Sequence, residues 1–85
     1  MFMKYTFDDG TTIDLTRVVS VSPVRDLGHD PETITMSRIG FTVHLNRREF
    51  VQITRHYHYA DWASVKNELE RVRKELIKMW ETETA

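Results

Sequence analysis

The sequence predicts an α+β fold: an antiparallel sheet of four to five strands, built from two hairpins and packed on one long C-terminal α-helix. Three observations lead there. Aromatic and β-branched residues alternate with polar ones through the first two thirds of the chain. Asp8-Asp9-Gly10 and Asn46-Arg47-Arg48 interrupt that alternation where hairpin turns are due. From Asp61 onward the apolar spacing changes from two to three and four, the stripe of an amphipathic helix. The 85 residues make one domain, with the sheet over 2–58 and the helix over 61–81.

The first hairpin joins Phe2–Phe7 to Thr11–Leu15. A two-residue loop would set Phe7 against Thr12. A three-residue loop sets Phe7 against Thr11, Tyr5 against Ile13 and Met3 against Leu15, with the apolar residues of both strands on one face. A slip of one residue reverses every side chain, so burial selects the longer loop. That loop closes on a left-handed residue, and Gly10 stands in that position.

Val18–Val24 forms a third extended run. The residues before it, Asp14 to Arg17, suit either a strand or one helical turn. Pro23 has no N–H for a ladder, so it belongs at an edge or a strand end. Arg25 to Glu32 contains Gly28, Pro31 and three acids, and reads as a loop.

The second hairpin joins Ile34–Leu45 to Glu49–Tyr57. Ile39, Phe41, Val43 and Leu45 share one parity, whereas Ile34 and Met36 have the other, which predicts a bulge or bend near Ser37-Arg38. A three-residue Asn46-Arg47-Arg48 loop sets Val43 against Val51 and Phe41 against Ile53. In the helix, Trp62, Val65, Leu69, Val72, Leu76 and Met79 form the buried stripe. Asp61 is the expected N-cap. Lys66/Glu70, Glu70/Lys74 and Arg71/Glu75 are i,i+4 pairs on the outer faces. The predicted core is Met3, Tyr5, Phe7, Ile13, Leu15, Ile39, Phe41, Val43, Val51 and Ile53, capped by Trp62, Val65, Leu69, Val72 and Leu76. A helix of about 20 residues spans roughly 30 Å. Strands of five or six residues span only about 17–20 Å, so the helix should overhang the sheet.

Composition limits the chemistry. The net charge is −1, and there is no cysteine. Disulfides, thiolate zinc sites, iron–sulfur ligation and cysteine nucleophiles therefore drop out together. The three glycines are scattered and make no phosphate loop. Neither a GxSxG elbow nor an HExxH pair occurs. Asp8-Asp9 is a carboxylate pair already explained by the turn, and Asp14 and Asp26 are isolated. The expectation is a protein that is not an enzyme and needs no cofactor. The N-terminal residues lack the basic and apolar regions of a secretory signal. The longest uncharged apolar stretch, Val18–Val24, is far short of the ~20 residues that cross a bilayer, so no membrane partner and a cytoplasmic location are expected.

Three groups of residues are site candidates. Leu76, Ile77, Met79 and Trp80 widen the apolar face at the helix end. A surface there would bind a protein partner, a second copy of the chain in a homodimer or a component of a larger assembly. The plain alternative is that the N-terminal strand or the 25–33 loop covers it. Arg47 and Arg48, with Arg55, Tyr57 and Tyr59, form the second group. Between His44 and Tyr59 there are three Arg, one Glu and three His, a local basic surplus that could hold a phosphate backbone or stacked bases. A slightly acidic chain with a pI near 6.4 argues against nucleic acid, and a solvated hairpin tip explains the same residues. His56 and His58 form the third group. On a strand they would share a face with His44 and could hold zinc or nickel. The leading expectation is a small non-enzymatic interaction module. The alternative is a weak nucleic-acid-binding domain.

Overall fold

The computed structural model describes residues 4–33 and 35–84, with residues 83 and 84 described by backbone alone. Met3 and Ile34, both assigned to strands from the sequence, lie outside the described residues. The fold is α+β, with antiparallel sheets of two and four strands packed against one C-terminal helix.

β1 (Lys4–Thr6) and β2 (Thr12–Asp14) form the two-stranded sheet in the expected register, with Tyr5 opposite Ile13. The turn between them is the three-residue one. The Phe7 N–H donates to Thr11 O at 2.8 Å, the Gly10 N–H donates to Phe7 O at 3.0 Å, and Gly10 has φ +91°. Residues Leu15–Arg17 form a 3₁₀ turn, the helical alternative for this segment. Asp14 makes it so: its Oδ1 accepts from the Thr16 N–H at 2.9 Å and the Thr16 hydroxyl at 2.6 Å.

β5 (Ser37–Leu45) is the centre of the four-stranded sheet. β6 (Phe50–Tyr57) lies along its full length without a register break, with Phe41 opposite Ile53 and Val43 opposite Val51. β3 (Val18–Val21) and β4 (Arg25–His29) both pair with the other side of β5, one after the other. The segment expected as a loop over Arg25 to Glu32 is therefore strand as far as His29. Composition misled because all five β4 residues are exposed, so no apolar alternation marks them. Together β3 and β4 form one edge of the sheet over 18–29, interrupted at 22–24. It gains one residue on β5 between Val18 and Ser20, one around Pro23, and one between Asp26 and Gly28. These bulges explain why Val18, Val21 and Val24, three residues apart, all contact the core: each extra residue resets the alternation. The bulge expected near Ser37-Arg38 is on the opposite strand, facing Arg38, and β5 simply begins at Ser37.

α1 (Trp62–Thr84) follows directly on a 3₁₀ turn over Tyr59–Asp61. Asp61, expected to cap the helix, lies inside that turn. Of the i,i+4 pairs, Lys66–Glu70 closes at 3.8 Å. Leu69, Val72 and Leu76 are buried against the sheet. They meet Tyr5, Phe7, Ile13 and Leu15 from the first hairpin, and Ile39, Phe41, Val43 and Ile53 from the larger sheet. Phe7 joins the two sheets: its ring lies 4.8 Å from Tyr5 and 6.3 Å from Phe41, both edge-on. Val18, Leu45 and Tyr57 belong to the core although the sequence did not assign them there. Trp62, assigned to it, is 40% exposed.

The expected overhang of the helix largely disappears. The central strand runs nine residues rather than five or six, so it spans about 30 Å. The 23-residue helix spans about 34 Å. The first hairpin fills in beside the sheet. Burial raises the Tyr5 pKa above its usual value, and the charge of Glu75 adds to this, which places that hairpin against the middle of the helix.

Candidate functional site

The four residues at the helix end do not form one surface. Leu76 is 0% exposed and belongs to the core, so it cannot meet a partner. Trp80 is half-buried and packs against the same core. Ile77 is half-buried, and Met79 alone among the four is classed as exposed, at 37%.

The basic group is also divided. Arg47 and Arg48 are at the β5–β6 tip, both exposed and both left-handed at φ 61°. Arg55 faces inward beside Ile39, where it pairs with Asp8 and donates to Thr54 O at 2.9 Å. It ties the first hairpin's turn to β6. Tyr57 is buried, and its hydroxyl donates to Asp26. Seven residues of strand, about 23 Å, separate the tip from Tyr57.

The histidines part as well. β6 ends at Tyr57, so the alternation that would align His58 with His56 stops before it. His44 pairs opposite Phe50, and His56 pairs opposite Arg38, about 20 Å further along the strand. His56 Nε2 lies 2.6 Å from Asp30 Oδ2. The Glu32 N–H, donating to the other oxygen at 2.9 Å, and His56 together hold the buried Asp30 carboxyl below the ordinary carboxylate range. Among the described residues no three His, Asp or Glu side chains gather as a metal site would require.

What the fold does assemble is a cleft at the start of the helix. It encloses about 470 Å³ and is lined by Asp26, Tyr57, Tyr59, Ala60, Trp62 and Ala63. Asp26 comes from β4, where its position opposite Ile39 turns it to the helix side of the sheet. The inward parity of β6 carries Tyr57 to the same place, and the 3₁₀ turn places Tyr59 and Ala60 beside Trp62. Tyr59 is 95% exposed. The Tyr57 hydroxyl, the Gly28 N–H at 2.8 Å and the Trp62 indole hold the Asp26 carboxyl below its usual pKa, so it is ionised at neutral pH. The Tyr57 phenol is pushed up by the same bond. Lys66 Nζ stands 5.7 Å from the centre of the Trp62 ring, a cation–π contact.

Sequence alone hides this site: Asp26 stands isolated in a stretch with the composition of a loop, and Trp62 fits the buried helical stripe. The parity that predicts inward-facing residues on β6 does reach Tyr57, and is the one signal that could have moved it. No protein-family model, curated protein or solved structure matches the chain.

Proposed function

We propose that this chain is a small non-enzymatic interaction module whose contact surface for a partner protein is the cleft at the start of α1. One observation carries the reading. Tyr59, in the 3₁₀ turn, is 95% exposed, Trp62 at the start of α1 is partly exposed, and both line the cleft that holds the ionised Asp26 carboxylate. Solvent-facing aromatics with a fixed polar group between them are the usual anchors of protein interfaces. The role matches the one expected from the sequence, but its surface moves from the helix end to the helix start, because the core uses Leu76 and Trp80.

A photocrosslinking phenylalanine derivative at position 59, expressed in the native cells, tests it. The expected result is one dominant crosslinked species, lost when Trp62→Ala is added. An adduct of twice the chain mass identifies the partner as a second copy. The control is the same derivative at Val19, which is exposed on the bulged edge of the sheet. No discrete adduct from position 59, or the same adduct from position 19, rejects the reading.

A further inference from the structure

We infer that two copies of this chain join edge to edge along β6, antiparallel about a two-fold axis, so that the four-stranded sheet of one continues into that of the other. This surface is separate from the cleft. Its basis is the direction of the β6 backbone groups. The Leu45 N–H donates to Glu49 O at 2.9 Å, which makes 45 and 49 a hydrogen-bonded pair. Such pairs alternate along an antiparallel ladder, so Val51, Ile53, Arg55 and Tyr57 turn their N–H and C=O groups to β5. Those of Phe50, Gln52, Thr54 and His56 point the other way, out of the edge of the sheet. Among the described residues β6 pairs with β5 alone. Of its outward groups only Thr54 O has a partner there, the Arg55 guanidinium.

Exposed edges are usually guarded by proline, lysine or a bulge. The edge formed by β3 and β4 is guarded in this way, with its bulges and Pro23. β6, with the sequence FVQITRHY, has no proline, no lysine and no bulge. Its one full charge, Arg55, is paired with Asp8. A second β6 fits this edge because the strand complements itself. The antiparallel register that matches all four outward residues sets Phe50 against the partner's His56 and Gln52 against the partner's Thr54. The two-fold axis then passes at Ile53, and the facing pairs exchange about eight hydrogen bonds between chains. Phe50, 65% exposed in a single copy, gains a ring across the new ladder. Arg55 comes opposite the partner's Val51, so no like charges face each other. The ends match as well. The exposed Arg47 and Arg48 of one copy run on past the partner's His56, toward its Asp8–Asp9 turn. That turn shares a shallow hollow of about 350 Å³ with Thr54, Arg55 and His56, which leaves this end of the edge open.

The test is sedimentation equilibrium of the full chain over a concentration series reaching about 1 mM. The expected species is a dimer in exchange with monomer. Gln52→Pro should weaken the dimer at least about tenfold, since each copy loses a donor to the other. The Gln52 N–H faces away from β5, so this proline removes no bond of the existing ladder, and an unchanged circular dichroism spectrum confirms the fold. A second measurement reads the register without that variant. The chain has no cysteine of its own. Facing residues of a hydrogen-bonded pair stand about 5.5 Å apart at Cα, within disulfide reach. Gln52→Cys mixed with Thr54→Cys under mild oxidation should therefore form the mixed disulfide at least about tenfold faster than either variant joins itself. A chain that stays monomeric to about 1 mM overturns the inference. So does a dimer that the folded Gln52→Pro variant leaves intact, or one in which the mixed disulfide is not favoured. Assembly beyond two copies also overturns it, because a two-fold pairing closes. The cleft is judged separately: a monomeric chain whose position 59 crosslinks to another protein loses the edge pairing and keeps the cleft, and a dimer with no position-59 adduct does the reverse.

Discussion

Gly40→Ala should be among the most damaging single-methyl changes available to this fold. Gly40 sits on the central strand opposite Thr54. A Cβ added there would fall 2.2 Å from the Ile53 carbonyl oxygen and 3.0 Å from the Thr54 Cα. Carbon and oxygen rest at roughly 3.3 Å, so β6 must withdraw by about 1 Å. A ladder hydrogen bond stretched by that much is no longer one. Overpacking costs about 1–3 kcal/mol, and a buried backbone group left unpaired costs about 1–3 more. The sum, roughly 2–6 kcal/mol, compares with a total stability of about 4–13 kcal/mol for a chain of this size. The melting temperature should fall by at least about 8 °C, measured by circular dichroism and checked by urea unfolding. Gly10→Ala is the control. Nothing lies within 4 Å of its Cβ, but φ is +91°, so only left-handed strain of about 1–2 kcal/mol applies. If Gly40→Ala is no more destabilising than Gly10→Ala, the close approach of the two strands is refuted.

Further outcomes follow from the same geometry. Arg47→Gly or Arg48→Gly should each stabilise the chain by about 0.5–1 kcal/mol by relieving a left-handed backbone, and a lower melting temperature for both would contradict that conformation. Leu76→Ala should destabilise by about 2–5 kcal/mol, whereas Met79→Ala should stay within about 0.5 kcal/mol, and similar losses for the two would place the helix face wrongly. The depressed pKa values of Asp9, Asp14, Asp26 and Asp30 mean that the native state holds these carboxylates charged more readily than the unfolded chain does. Their stabilisation is full above about pH 5 and is lost as pH falls through their folded values. Asp26→Asn with Asp30→Asn should flatten the loss of melting temperature between pH 5 and about pH 3. An unchanged acid slope in that double variant counts against the two hydrogen-bonded carboxylates.

Much of the fold was legible because parity is local. Two hairpin registers followed from asking which loop length buries Tyr5 with Ile13 and Phe41 with Ile53, and the helix followed from the spacing of Val65, Leu69, Val72 and Leu76. What escaped depended on contacts distant in sequence. Asp26 and Tyr57 are 31 residues apart. The exposed strand β4 has no apolar pattern of its own and exists because β5 offers it a ladder. Its neighbour Ser22 is held likewise. The Thr42 N–H donates to the Ser22 hydroxyl at 2.8 Å, and the Ser22 carbonyl accepts from Arg73 Nε at 2.7 Å, replacing ladder bonds that the Pro23 break cannot make. The candidate cleft was invisible for the same reason: its carboxylate, its phenol and its indole come from three separate elements.

The interrupted edge over 18–29 limits how this chain can change. It has already absorbed three extra residues against β5, and after each one its side chains return to the correct face. A further single-residue insertion there, beside Val19 or Leu27, adds one more outward kink and leaves the core contacts of Val18 and Val21 in place. β6 has no such slack. Its ladder with β5 is unbroken from Phe50 to Tyr57, so one inserted residue at its middle would turn Ile53 or Tyr57 to solvent. The two sides of the same central strand therefore differ in their tolerance of length, with the bulged edge open to insertion and deletion and the regular edge closed to both.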